Sequence, residues 1–273
     1  MLSIFHYSFI QNAFISSFFI ALTAGVIGYF LLIRGLTFAA DAFSHIGFAG
    51  AAGAVLFGID PVLGLLVFTV LAGFAIGVFG KRLSERDVTI GMLTVLALSL
   101  GVLFIFLYAG YANEAYSILF GNILGVSVEN IIFTAIFSVL TLICVAFIFR
   151  PLLFSSFDSQ IAQARGVPVK LLSVLFMVLL AITVSLSVQV VGILLIFTLL
   201  VGPAAVAIRL FSNPYTAIFM SVCLAFIYSW LGIFTAALTN LPATFFIASI
   251  SFGVYILVRI FSSLKPKKKL LID

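Results

Sequence analysis

Charge is what this 273-residue chain has least of. Lys, Arg, Asp and Glu together make up 8% of it, against roughly 25% in a soluble domain. With 64% hydrophobic residues and a mean hydropathy of +1.40, a water-solvated globule is excluded, and disorder needs the opposite balance. Cysteine is nearly absent as well. Cys144 and Cys223 each sit inside an apolar run, can form neither a disulfide framework nor a four-ligand zinc site, and are expected as buried structural thiols. Two histidines and eight carboxylates leave hydrolytic chemistry few residues to use. No Gly-x-Ser-x-Gly or His-Glu-x-x-His element occurs, and the nearest approach to a nucleotide loop, Gly77 to Arg82, lacks both the four-residue spacer and the Ser or Thr that would hold magnesium. The chain is not expected to be an enzyme, and any ATP that powers it belongs on another chain. The opening MLSIFHYSFIQN carries no Lys or Arg, so no cleavable signal is expected and the first apolar run stays as a span.

Long apolar runs are what the chain does have. They cover about 11–33, 36–59, 61–80, 88–109, 129–149, 171–189, 191–210, 215–238 and 241–261. A bilayer core about 30 Å thick takes around 20 apolar residues per crossing, so the fold class is an all-α polytopic transmembrane bundle of eight or nine spans. The 32 phenylalanines read as lipid-facing and interhelical bulk. With the C-terminal Lys265, Lys267, Lys268 and Lys269 placed in the cytoplasm, counting back one crossing per run puts Arg34, Lys81, Arg82, Arg86, Arg150, Arg165, Lys170, Arg209 and Arg259 on the same side. All 13 cations then obey one orientation, and Asp60, Glu114 and Glu129 fall outside. Nine crossings and an external N-terminus follow. Runs 171–189 and 191–210 nearly touch, so eight spans with one re-entrant run stay open, and 112–128 reads as an external or re-entrant element. The net charge of +5 is accounted for by orientation, so no nucleic-acid partner is implied. Residues 1–262 are expected to form one transmembrane domain with a cytoplasmic loop at about 150–170, and 263–273 a basic cytoplasmic tail that can touch anionic lipid. The chain is expected to be a multi-pass membrane protein with a cytoplasmic C-terminus.

The exceptional stretch runs from Arg34 to Gly53. Asp41 and His45 are four residues apart and share a helix face, with Ser44 beside them. Counted from Arg34 at the boundary, Asp41 lies about 10 Å and His45 about 16 Å into the core. An ionised carboxylate there costs about 2.5–3.5 kcal/mol on insertion scales, so something must compensate it. Either the pair satisfies itself or nearby hydroxyls and glues helices together, or it meets a dehydrating divalent cation. Carboxylate and imidazole suit zinc, manganese or iron and not copper(I). Two ligands are too few, so a homodimer with the path on its axis would supply two of each. Ala39, Ala40, Ala42, Gly47, Gly50 and Gly53 allow other backbones to approach this helix. Asn122 and Asn240 are accessory polar candidates, Gln189 a lesser one, and His6 is expected to take no part. Gly202-Pro203 marks an expected kink.

The second candidate is the loop from Arg150 to Lys170. Asp158 can N-cap a short helix through Ala164 or Arg165, Gly166 suits the position after its end, and Pro168 stops it. Such a helix on the basic face can dock a soluble partner or lie on the membrane interface.

These motifs together resemble the ABC-3 family of permeases of zinc, manganese and iron importers. The resemblance rests on Asp41-Ala42-Phe43-Ser44-His45 followed by Gly50-Ala51-Ala52. Ile90-Gly91, Leu119 to Leu124, the loop 158–166, and Val191-Gly192 through Pro203-Ala204-Ala205 support it. The chain departs from the common pattern at Ile46, Ala49, Asn122 and 240–244, which leaves the metal open. The resemblance implies a type II importer-like homodimer, a cytoplasmic dimer of ABC ATPases and an extracytoplasmic metal-binding protein. It also implies that Asp41 and His45 line the metal path. Asp158, Ser159, Gln160, Ile161, Ala162, Gln163, Ala164, Arg165 and Gly166 would enter the ATPase groove. No cofactor would be bound permanently: the metal is cargo and ATP sits on the partner. The function expected is import of manganese or zinc, with iron as a further candidate, by alternating access. The alternative is a proton-coupled secondary carrier that works without an ATPase. A structural subunit with no path of its own is a third reading.

Overall fold

The computed structural model describes residues 8–79, 83–108, 126–239 and 241–264. Among them there is no strand. The helices are α1 Ser8–Ile33, α2 Thr37–Leu56, α3 Pro61–Phe79, α4 Leu83–Leu107, α5 Val128–Phe157, α6 Ser159–Ala164, α7 Val169–Val191, α8 Ile193–Leu210, α9 Pro214–Thr239 and α10 Ala243–Leu264. All nine expected apolar runs are helical. Among the described residues, eight helices are long and apolar enough to cross a bilayer, and α8 is the shorter ninth. At 18 residues α8 is about 27 Å long, just under the core thickness.

The helix ends are set by local chemistry. Asp60 and Asn213 each precede a proline at the first helical position, and each side chain accepts the N–H of the second, Val62 at 2.7 Å and Tyr215 at 3.0 Å. Ser127 caps α5 by accepting from Asn130 N–H at 3.2 Å. Gly192 alone separates α7 from α8. Its φ of 85° with ψ of 163° is a conformation open to glycine, and it ends one helix and starts the next within a single residue. One boundary differs from the sequence reading: α5 does not stop at Arg150 but continues through Pro151 to Phe157. Proline forfeits one backbone bond, and that is not enough to end a 30-residue helix.

Helices α1, α2 and α7 form the interior, and α3, α4, α5 and α10 expose much of their surface. The main core joins Phe30, Phe43 and Phe176 to the alanines of α2. A second, smaller core around Tyr228 joins α8, α9 and α10. Small residues decide how close helices come. A Cβ on Gly50 would run into the carbonyl oxygen of Gly64, and one on Gly64 into that of Gly50, so α2 and α3 touch backbone to backbone. Buried hydroxyls mostly turn back on their own helices: Thr69 bonds to Leu65 O at 2.8 Å, Thr183 to Leu179 O at 2.8 Å and Ser187 to Thr183 O at 2.8 Å. Thr69 and Ser185 also bond to each other and pin α3 to α7. The cysteine expectation fails in part. Cys223 is half-buried, but Cys144 lies exposed on the outer face of α5, where a small apolar thiol needs no cover from protein in a lipid-facing position.

Gly64→Ala is expected to push α2 from α3 and destabilise the permease by about 1–3 kcal/mol, the usual cost of overpacking. Gly91→Ala on α4, where an added Cβ meets nothing within 4 Å, is expected to be neutral or to stabilise by up to about 1 kcal/mol. Thermal unfolding of both variants in one detergent checks the contrast.

Candidate metal path and coupling element

The site begins with the geometry of α2. Gly47, Gly50 and Ala54 turn one face toward α3, and Ala49 and Gly53 turn another toward Gly101 and Phe104 of α4. At 100° per residue, Asp41 and His45 fall on the face opposite α3, in line with Phe38. Asp41 is 48% exposed at its side chain and His45 33%, on a helix that is otherwise mostly covered. Farther along the same stripe Phe48 and Ala52 are buried.

The Nε2 of His45 stands 3.8 Å from Oδ2 of Asp41. That distance is too long for a hydrogen bond. No other polar partner for either side chain is found among the described residues. Among the described residues, neither one bridges α2 to a neighbouring helix. Ser44 points elsewhere: it is 1% exposed, and its hydroxyl donates to the Asp41 carbonyl at 2.6 Å. Among the described residues no group of three or more His, Cys, Asp or Glu could hold a metal, and Asp41 with His45 makes a group of two. Asn122, Asn240, His6 and Lys265 to Lys269 lie outside the described residues, as does the side chain of Gln189.

The short helix α6 forms as its residues dictate. Asp158 Oδ1 accepts the N–H groups of Gln160 and Ile161, both at 2.9 Å. At the other end Gly166, with φ at 79°, lets its N–H reach Gln163 O and the Val167 N–H reach Ala162 O, each at 3.0 Å. This pair of bonds is the Schellman closure. Gly35 and Gly58 close α1 and α2 the same way. Ala162 is fully buried and anchors α6, while Gln160, Ile161, Gln163, Ala164 and Arg165 are exposed. Ile161 is about half exposed among these polar side chains.

One feature escaped the sequence reading. Arg34, at the end of α1, donates through Nη1 to the hydroxyls of Ser155 and Ser156, 3.3 Å each, and its guanidinium carbon lies 5.3 Å from the centre of the Phe176 ring. This ties the turn before α2 to the helix that leads into α6. The Ser-Ser pair just before Asp158 was visible, but a pairing across 121 residues carries no local signal.

Comparison with known proteins agrees with this architecture. The ABC 3 transport family matches residues 6–262. The chain is 34% identical to the manganese import system permease protein ScaB of Streptococcus parasanguinis, over 96% of this chain and 93% of that one. It is 30% identical to the manganese transport system membrane protein MntC of Listeria monocytogenes, over 97% and 94%. Its structure superposes on PsaBC from Streptococcus pneumoniae, solved in complex with Fab, with a TM-score of 0.85, 31% identity and 99% of each chain covered. A likeness that runs from end to end in sequence and in structure leaves one conclusion: the chain belongs to the ABC 3 transport family, as a membrane permease and not an enzyme.

Proposed function

We propose that this permease imports a divalent transition metal, manganese first among them, as a homodimer driven by two copies of a separate cytoplasmic ATPase and supplied by an extracytoplasmic metal-binding protein. The observation that carries this reading is the Asp41–His45 pair: an acid and an imidazole on one face of a central helix, partly exposed in the single chain and held by no other helix among the described residues. The names of ScaB and MntC support manganese over zinc and iron. A second copy facing this stripe gives two carboxylates and two imidazoles. Hard oxygen ligands suit manganese, and the imidazoles widen the range to zinc and iron. Nothing observed favours a proton-coupled carrier that works alone.

The transport cycle follows from the chemistry of partial ligation. A hydrated cation exchanges some of its water for the four side chains, which offsets the cost of holding acids in the membrane. It leaves again because the set is small and its members sit on surfaces that can part. Alternating access moves those surfaces, and the lever is α6. It is short, capped at both ends and anchored by Ala162, so a push from the ATPase moves it as a body instead of unwinding it.

Asp41→Asn and His45→Ala, each present in the membrane at parental levels, are expected to lower cellular manganese accumulation by more than the roughly tenfold that even outer-shell metal-site substitutions cause. Accumulation equal to the parent would remove the ligand role. Asp158→Ala loses a cap worth about 1 kcal/mol, so it is expected to reduce co-purification of the ATPase or its transport-coupled turnover, whereas Asp158→Asn retains the cap and both properties. Equal behaviour of the two variants would detach α6 from coupling.

A further inference from the structure

The stripe that carries Asp41 and His45 does not end with them. Phe38 stands three residues before the first and seven before the second, so the helical repeat places it about 60° and about 20° from them around the axis. At the helical rise it lies about 4.5 Å from Asp41 and about 10 Å from His45, toward Arg34. The distribution of cations assigns that end of α2 to the cytoplasm. Along the stripe Ala52 and Phe48 are buried, His45 and Asp41 are partly exposed, and Phe38 is 48% exposed.

Lipid is the usual reason for a bare phenylalanine in a membrane protein, and helix α5 shows how that looks. It exposes Ile132, Ile136, Leu140, Ile143 and Phe147 at successive turns. Phe38 is the one exposed large apolar side chain of α2, and the next residues on its own face are an acid and an imidazole. Hydrocarbon disfavours both, so a face that holds them fronts water or protein. The ring on that face fronts the same space.

Phe38 also lies where the chain is mechanically tied. Arg34, four residues earlier, donates to Ser155 and Ser156 near the end of α5. Only the turn from Arg34 to Leu36, with Gly35 at a φ of 65°, separates that attachment from the start of α2. A displacement of α6 passed on through α5 therefore reaches Phe38 before it reaches Asp41 or His45.

We propose that Phe38 is the cytoplasmic gate of the metal path, an assignment that rests on the reading of Asp41 and His45 as the ligands. The ring of one copy meets the ring of the other beneath the four ligands. A cation that has exchanged water for carboxylate and imidazole finds no oxygen at the rings, and an apolar constriction closes by excluding water. The ion waits at the ligands until a movement of α6 draws the rings apart. Without this barrier the ligands would pass metal in whichever direction its gradient ran.

The permease with its ATPase, in proteoliposomes that enclose a manganese-quenched dye, is given external manganese without ATP. The parent is expected to stay closed. Phe38→Ala is expected to raise ATP-independent entry at least about tenfold, the equivalent of about 1.4 kcal/mol off the barrier. Phe38→Leu keeps an apolar plug and should stay near the parent. Phe74→Ala, which removes an exposed ring from α3, should also stay closed. A second measurement does not depend on how the alanine variant folds. Phe38→Cys, combined with Cys144→Ser and Cys223→Ser, is expected to be joined to its counterpart by a short bis-thiosulfonate in native membranes. Parental ATP-independent entry in Phe38→Ala, or no cross-linked dimer from Phe38→Cys at parental membrane levels, overturns the gate. An equal leak in Phe74→Ala would make the effect one of general packing and overturn it too. The underlying reading fails in a different way: Asp41→Asn and His45→Ala would then accumulate manganese like the parent. Loss of accumulation in those two with Phe38→Ala still closed would leave the path standing and remove the gate alone.

Discussion

Where no water reaches, every polar group must find its partner inside the protein, and the packing of this permease follows from that requirement. Many of its buried hydroxyls comply by bonding to the carbonyl three or four residues back, as Thr183, Ser187 and Ser229 do, while those of Ser16, Thr134, Ser138, Ser221 and Tyr228 find no partner among the described residues. A few serve tertiary structure: Thr69 and Ser185 join α3 to α7, and Ser155 and Ser156 hold Arg34. Against that background Asp41 and His45 are conspicuous. They are the costliest side chains on α2, and among the described residues they have only each other, at a separation too long for a hydrogen bond. A pair left so incompletely satisfied suits a cation that stays briefly.

The helix that carries the pair is built for proximity. Its glycines and alanines bring the backbones of α2 and α3 together, and α4, α7 and α8 also lie against it, so Asp41 and His45 are partly exposed side chains on a helix that is otherwise closely packed. Close packing has little tolerance for intermediate positions, so such a helix shifts as a unit or not at all.

Much of this was legible in the sequence, because a membrane imposes simple rules. Apolar length alone located all nine hydrophobic helices to within a few residues. Asp158, Gly166 and Pro168 specified α6 because caps are local chemistry. The spacing of Asp41 and His45 put them on one face without knowledge of any neighbour. The misses came from non-local or permissive effects. Pro151 looked like a boundary, yet one lost backbone bond does not end a long helix. Cys144 looked buried because it is apolar, but in lipid the outside of a protein is apolar as well. Arg34 looked like an orientation signal, and its grip on Ser155 and Ser156 depends on contacts between distant parts of the chain.

Gly192 has a consequence for how force travels. Helix α7 packs mainly on α3 and α8 packs on α9 and α10, yet α1 and α2 lie against both, and Ile193, Ile196 and Leu200 of α8 belong to the larger core. A linker of one residue has no slack to absorb displacement, so a shift of α7 along its axis is handed directly to α8. The two helices are thus coupled end to end as well as through the helices packed beside them.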